Sequence, residues 1–143
     1  MPVSNARVCL ARVAAAAEAT RRQEAPPDRD PFRRDCVPNA QAVARAAARR
    51  GHPYRVIRGI ARDPGGETPA VPTDRDARLD YIMTHGVGHW WTEIQPPGYS
   101  GDVGVVVEPW TLAAEAGGEG RYIGPRPLNY YPATTEADGR GRR

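Results

Sequence analysis

The residue types best suited to chemistry in this chain are a cysteine, a histidine and a carboxylate in the order Cys36, His89, Glu108. A thiolate attacks a carbonyl far better than a thiol does. A nucleophilic cysteine therefore needs surroundings that bring its pKa below about 8.5, such as a helix N-terminus and an imidazole. Cys36 stands at a predicted helix start, where free backbone N–H groups would also receive the oxyanion that develops on a substrate carbonyl. Cys9 lies inside an alanine-rich run and reads as a small buried hydrophobe. With no signal peptide in view, the two cysteines are expected to be free thiols. Among the three histidines, His52 follows a helix stop and reads as a turn residue, while His85 sits in a glycine-rich lead-in. His89 opens an aromatic strand that could hold its ring rigidly, so it is the preferred base, with His85 second. Glu108 ends the apolar run Val105-Val106-Val107 just before Pro109 and is placed to orient the imidazole.

These groups need elements to carry them. Ser4 is a plausible N-cap for a first helix running to about Gln23, rich in Ala and free of Gly and Pro. Glu24 to Phe32, with Pro26, Pro27 and Pro31, reads as a linker. The second helix is predicted from Asp35 as cap, Pro38 in the first turn and Gly51 as the C-terminal stop. Tyr54 to Ile60 has strand composition, and Asp63 to Asp80, dense in Pro, Gly and Asp, reads as a surface loop. His89 to Ile94 and Gly101 to Pro109 form a predicted hairpin about the Pro96-Pro97-Gly98 turn. In such a strand Trp90 and Trp91 face opposite ways, and Arg55 and Glu93 make a cross-strand charge pair. Thr111 to Ala116 is expected to make a helical turn, Gly117 to Pro127 to be irregular, and Thr134 to Arg143 to be a disordered tail.

Composition sets the outer bounds. A chain of 143 residues can close one modest core, so residues 1–133 are expected to form a single domain. The 15 glycines and 15 prolines imply much irregular chain between short elements, which favours an α+β fold: two N-terminal helices packed on a short antiparallel sheet of three to five strands. The formal net charge is +3 and all 20 basic residues are arginine, scattered rather than striped, so no nucleic-acid face is expected. The apolar stretch Val8 to Ala19 is broken by Arg12 and Glu18 and is too short to span a membrane. A cytoplasmic protein, or an effector delivered without a classical signal peptide, is the expected setting.

The ordered set of Cys36 at a helix start, Arg50-Gly51-His52-Pro53-Tyr54-Arg55-Val56-Ile57-Arg58-Gly59, Gly88-His89-Trp90-Trp91-Thr92-Glu93-Ile94 and Val106-Val107-Glu108-Pro109 resembles the transglutaminase-like branch of the papain-like superfamily. The resemblance covers roughly residues 35 to 110. It implies a papain/transglutaminase-like fold with Cys36 as nucleophile, His89 as base and Glu108 as orienting acid, acting on a protein or peptide substrate without a cofactor. Glu108 stands where that family usually has aspartate, and Asp102 is the alternative acid. No glutamine or tryptophan stands immediately before Cys36, so oxyanion stabilisation is expected from backbone N–H groups. Cys36-Val37-Pro38-Asn39 also differs from the Cys-Leu-x-Arg of lasso-peptide leader peptidases.

The leading expectation is acyl transfer from an amide through a thioester at Cys36, of peptidase, glutamine deamidase or transglutaminase type, the small papain-fold toxins included. Two binding-module readings compete with it. One is a zinc-stabilised domain using Cys36, His85 and His89, since His-x-x-x-His spacing can ligate a metal. The other is a catalytically inactive papain-like scaffold that binds a partner through the loop Asp63 to Asp80.

Overall fold

The protein is seen in a computed structural model that describes residues 3–24, 35–63, 71–96, 104–118 and 120–139. The predicted linker around Pro26, Pro27 and Pro31, the alternative acid Asp102 and the turn at Pro97-Gly98 lie outside these residues.

Helix α1, Val3–Glu24, runs through the alanine-rich segment, with Ser4 inside it rather than at its cap. Its apolar stripe of Leu10, Val13, Ala14 and Ala17 is buried against Ala42, Val43, Ala46 and Ala47 of α2, Cys36–Arg49. The small facing side chains suit two helices packed closely together. Gly51 ends α2 in the left-handed conformation at φ 75°, and the N–H of His52 returns to the carbonyl of Ala47, closing the helix as the glycine predicted. The cap at the other end differs from expectation. Asp35 occupies the N-cap position, but its side chain makes no capping hydrogen bond.

The five strands are β1 Tyr54–Ala61, β2 Val87–Ile94, β3 Val105–Glu108, β4 Tyr122–Gly124 and β5 Tyr130–Gly139. They form one antiparallel sheet in the order β4-β3-β2-β1-β5. The architecture is α+β, as expected. Alternation along β2 sends Trp90, Thr92 and Ile94 toward α2 and His89, Trp91 and Glu93 to the opposite face. On β3, Val107 packs with the helices, while Val106 joins Ile57, Trp91, Leu112 and Tyr130 on the far side. Gly59 permits that second cluster to close. A Cβ there would lie 2.7 Å from the Trp91 ring and 2.1 Å from the Tyr131 carbonyl oxygen.

Three expectations are corrected. The supposed loop Asp63 to Asp80 contains the start of α3, Arg75–His85, capped by Asp74, whose carboxylate accepts the Ala77 N–H at 3.0 Å. Only Ile82 of α3 is buried, so no apolar periodicity marked it. The supposed disordered tail from Thr134 is the second half of β5, paired with β1 as far as Gly139; residues 140–143 lie outside the described set. Its side chains are exposed almost throughout, so the strand is held by backbone pairing and shows no hydrophobic alternation. The irregular Gly117 to Pro127 contains β4, while the turn expected in Thr111 to Ala116 is the 3-10 turn Ala114–Ala116.

Candidate active site

β3 stops pairing with β2 at the register Thr92↔Val107, and Pro109 then turns the chain away. Among the described residues no strand pairs with the N-terminal half of β2, Val87 to Trp91, on that side. The first turn of α2 fills part of the gap. Thr92 Oγ1 donates 2.7 Å to the Ala40 carbonyl, pinning that turn to β2 and bringing Cys36 to the open edge. There the backbone N–H of Trp90 is directed at the Cys36 sulfur, in the position where a ladder partner from β3 would have been.

His89 is 2% exposed and reaches the sulfur from the other face of the sheet. Its Nε2 donates to Glu108 Oε2 at 2.7 Å, which leaves Nδ1 for Cys36. The ring lies between Trp91, nearly parallel at 6.0 Å between centroids, and the edge of Tyr130 at 5.0 Å. Glu108 is held in turn, since its Oε1 accepts from Tyr130 OH at 2.7 Å and from Thr111 Oγ1 at 2.9 Å. Those hydroxyls accept the N–H groups of Leu112 and Ala113, and buried Asn129 ties the same loop to the residue just after β1 through the carbonyls of Leu112 and Arg62. No family model, curated protein or solved structure matches this chain.

The electrostatics follow from this packing. Burial resists ionisation of the half-buried Cys36, but hydrogen bonds from His89 and from the Trp90 and Val37 N–H groups outweigh it and bring the thiol below its ordinary value. Burial likewise works against the His89 imidazolium. Cys36 and Glu108 on its two nitrogens overcome that and raise it to about 9. Both shifts favour the same charged pair, thiolate beside imidazolium. Tyr130 is pushed well above its usual range by burial and by the Glu108 carboxylate, so it remains a donor.

A cleft of about 330 Å³ opens at the pair, walled by Cys36, Asp63, Val87, Gly88, His89, Trp110 and Leu112. Trp90, on the helix-facing side of β2, lines a small pocket of about 10 Å³ beneath Cys36. Trp91 is fully buried.

The structure therefore brings Cys36, His89 and Glu108 together and leaves the other described candidates apart. Cys9 is half-buried on α1, and both cysteines are free thiols. His52 is buried in the turn after α2, its imidazolium disfavoured by burial and by Arg50. His85 is exposed at the end of α3. Among the described residues no group of three or more His, Cys, Asp or Glu side chains could hold a metal, so the Cys36, His85, His89 set is not assembled. Nor is any helix there long and apolar enough to cross a membrane.

Thr111, Asn129 and Tyr130, which complete the support of Glu108, were not foreseen. Tyr130 carried no signal because it opens a strand whose second half, from Thr134, reads as tail. The Arg55–Glu93 pair spans 4.0 Å, whereas Arg126, unremarked in the sequence, holds the buried Glu93 with Nε at 2.9 Å and Nη2 at 3.0 Å. Trp91 Nε1 donates to the same carboxylate at 2.9 Å.

Proposed function

We propose that this protein is a thiol-dependent acyl-transfer enzyme acting on amides, with Cys36 as nucleophile, His89 as acid and base, and Glu108 as the group that orients and charges the imidazole. The observation that carries this reading is the buried His89, bridged between Cys36 and Glu108 by its two ring nitrogens. The thiolate adds to the amide carbonyl, and the backbone N–H of Cys36 at the start of α2 receives the oxyanion, since Pro38 has no N–H and that of Asn39 is bonded to the Asp35 carbonyl. Collapse breaks the C–N bond and the imidazolium gives its proton to the departing amine. A thioester remains on Cys36, from which water or an acceptor amine, deprotonated by His89, takes the acyl group. Glu108 holds the ring in place throughout. The motif order and this geometry are those expected of a small papain/transglutaminase-like domain. Peptidase, deamidase and transferase outcomes share these steps and differ in what leaves and what accepts.

A peptide chain is the substrate class that the cleft favours. Because the Trp90 N–H faces the cleft edge, alternation turns the N–H and C=O of Gly88 to the same edge. Gly88 is exposed, and a Cβ there would meet nothing within 4 Å. An extended backbone can therefore approach β2 beside Cys36 and pair with Gly88.

The test is the pH dependence of iodoacetamide labelling at Cys36, with Cys9 in the same molecule as internal reference. Rapid labelling of Cys36 below neutral pH, lost in His89→Ala, is the expected result. An ordinary thiol profile at Cys36, unchanged in that variant, would overturn the reading.

A further inference from the structure

The N-cap of α2 is unusual in what it leaves undone. An aspartate at this position normally accepts a hydrogen bond from the backbone N–H two or three residues on. Here those residues are Val37 and Pro38, and proline has no N–H. A capping Asp35 could therefore reach only the Val37 N–H. That same N–H is directed at the Cys36 sulfur. Carboxylate and thiolate are competitors for one donor, and a carboxylate seated there would also put a second negative charge at the helix terminus beside the nucleophile.

The competition is settled from α1. Arg21, in its last turn, is 5% exposed and extends across the base of the α2 first turn. Its Nη2 donates to Asp35 Oδ2 at 3.1 Å, and its Nε donates to Asn39 Oδ1 at 2.9 Å. Asn39 is itself buried one turn after Cys36, and its N–H closes that turn on the Asp35 carbonyl at 3.0 Å. The Asp35 carboxylate thus bonds to Arg21 and makes no capping hydrogen bond to its own helix.

We propose that Arg21 is a positioning residue of the site: it draws the Asp35 carboxylate off the N-terminus of α2 and so reserves the Val37 N–H and the helix dipole for the Cys36 thiolate. The inference rests on the thiolate reading above and adds a residue to it. Among the described residues, the charged groups around the sulfur are His89 from β2 with Glu108 of β3 behind it, Asp63 on the cleft wall, Asp35 before α2, and Arg21 and Glu24 from α1. Of these, Asp35 is adjacent in sequence to Cys36, and Arg21 holds it.

The experiment compares Cys36 alkylation profiles in the full chain for the wild type, Arg21→Met, Asp35→Ala and the double variant. Arg21→Met removes the Arg21 hold on Asp35 and lets its carboxylate move toward the helix end. The labelling midpoint should rise by roughly one pH unit, with about a tenfold slower rate on the acid side. Asp35→Ala should not raise the midpoint, and adding it to Arg21→Met should restore the wild-type profile even if the melting temperature stays low. A purely structural arginine predicts instead that the double variant labels like Arg21→Met or worse, which would overturn the proposal.

Should Arg21→Met not fold, the wild type still decides. The Val37 amide proton resonance should move with the same midpoint as Cys36 alkylation. Movement only in acid, with protonation of a carboxylate, would show that Asp35 already holds the N–H and would overturn the proposal. An ordinary profile for wild-type Cys36 would remove the acyl-transfer reading as well. A low midpoint unaffected by Arg21→Met would remove this inference alone.

Discussion

The two faces of the central strands differ in kind. Toward the helices, Ile94 and Val107 meet Leu10, Val13, Ala14, Val43 and Ala47 in an apolar layer, and the one buried hydroxyl that β2 sends to that side, on Thr92, is bonded to the Ala40 carbonyl. On the other face the same strands present His89, Glu93 and Glu108, all buried, among Trp91, Thr111 and Tyr130. One residue of offset along a strand separates a side chain that holds the fold from one suited to chemistry. The apolar face is where Cys36 is anchored, since α2 packs there; the polar face is where its partner is aimed. Cys36 and His89 meet because β3 ends early and leaves an edge around which both can reach. A division of labour of this sort makes the faces separable by mutation.

The largest effect is expected from the polar face. Glu108→Gln preserves shape but offers His89 an amide in place of a carboxylate, so the imidazolium loses its counter-charge and the ring its fixed tautomer. Replacing the orienting acid of such a triad costs on the order of 10^4 in turnover elsewhere. Turnover of a peptide amide, or Cys36 labelling at pH 6, should fall by at least two orders of magnitude, with the circular dichroism spectrum retained. A variant labelling as fast as wild type would detach Glu108 from the chemistry. Stability gives a second readout, with a definite sign. His89 is raised from 6.5 to about 9 on folding, so its contribution is complete below pH 6.5 and is lost as pH rises through 9. The part of the Glu108→Gln destabilisation that comes from the imidazolium should therefore shrink between these limits.

On the apolar face the expectation is reversed. Ile94 is fully buried beneath α2, and Ile94→Ala should cost about 2–5 kcal/mol by denaturant unfolding. The midpoint of Cys36 labelling should not move in the molecules that remain folded. A shifted midpoint would mean that helix packing and thiol ionisation are coupled, and that the two faces are not independent.

The same contrast explains what could be read in advance. The order Cys36, His89, Glu108 was legible because each residue abuts a local marker: Pro38 in a helix start, Gly88 before an aromatic strand, Pro109 after an apolar one. The α+β arrangement of two helices and a hairpin was legible from the same punctuation. The supports of the triad were not. Thr111 and Tyr130 act on Glu108, and Arg126 on Glu93, across separations in sequence that no local pattern reports. β5 escaped notice because almost all of its side chains are exposed and its stability comes from pairing with β1. Asp35 was read as a cap from its type and position, but its carboxylate bonds to a tertiary partner, Arg21, and makes no capping hydrogen bond.

The smallest expected effect tests how far the polar face extends beyond the triad. Tyr130 donates to Glu108 Oε1 at 2.7 Å, accepts the Leu112 N–H at 2.9 Å, and lays its ring against both His89 and Trp91. Tyr130→Phe keeps the ring and removes the hydroxyl. Glu108 then retains Thr111 on Oε1 and His89 on Oε2, so the loss is one charge-assisted hydrogen bond and an unpaired Leu112 N–H, about 1–3 kcal/mol in stability. Without the Tyr130 donor, Glu108 would accept more strongly from the imidazolium, so the His89 midpoint should stay level or rise slightly rather than fall. Labelling of Cys36 should consequently change less than threefold, a small fraction of the Glu108→Gln effect. A loss as large as that of Glu108→Gln would show that the hydroxyl is needed to place the carboxylate at all. The working unit of the polar face would then be four residues rather than three.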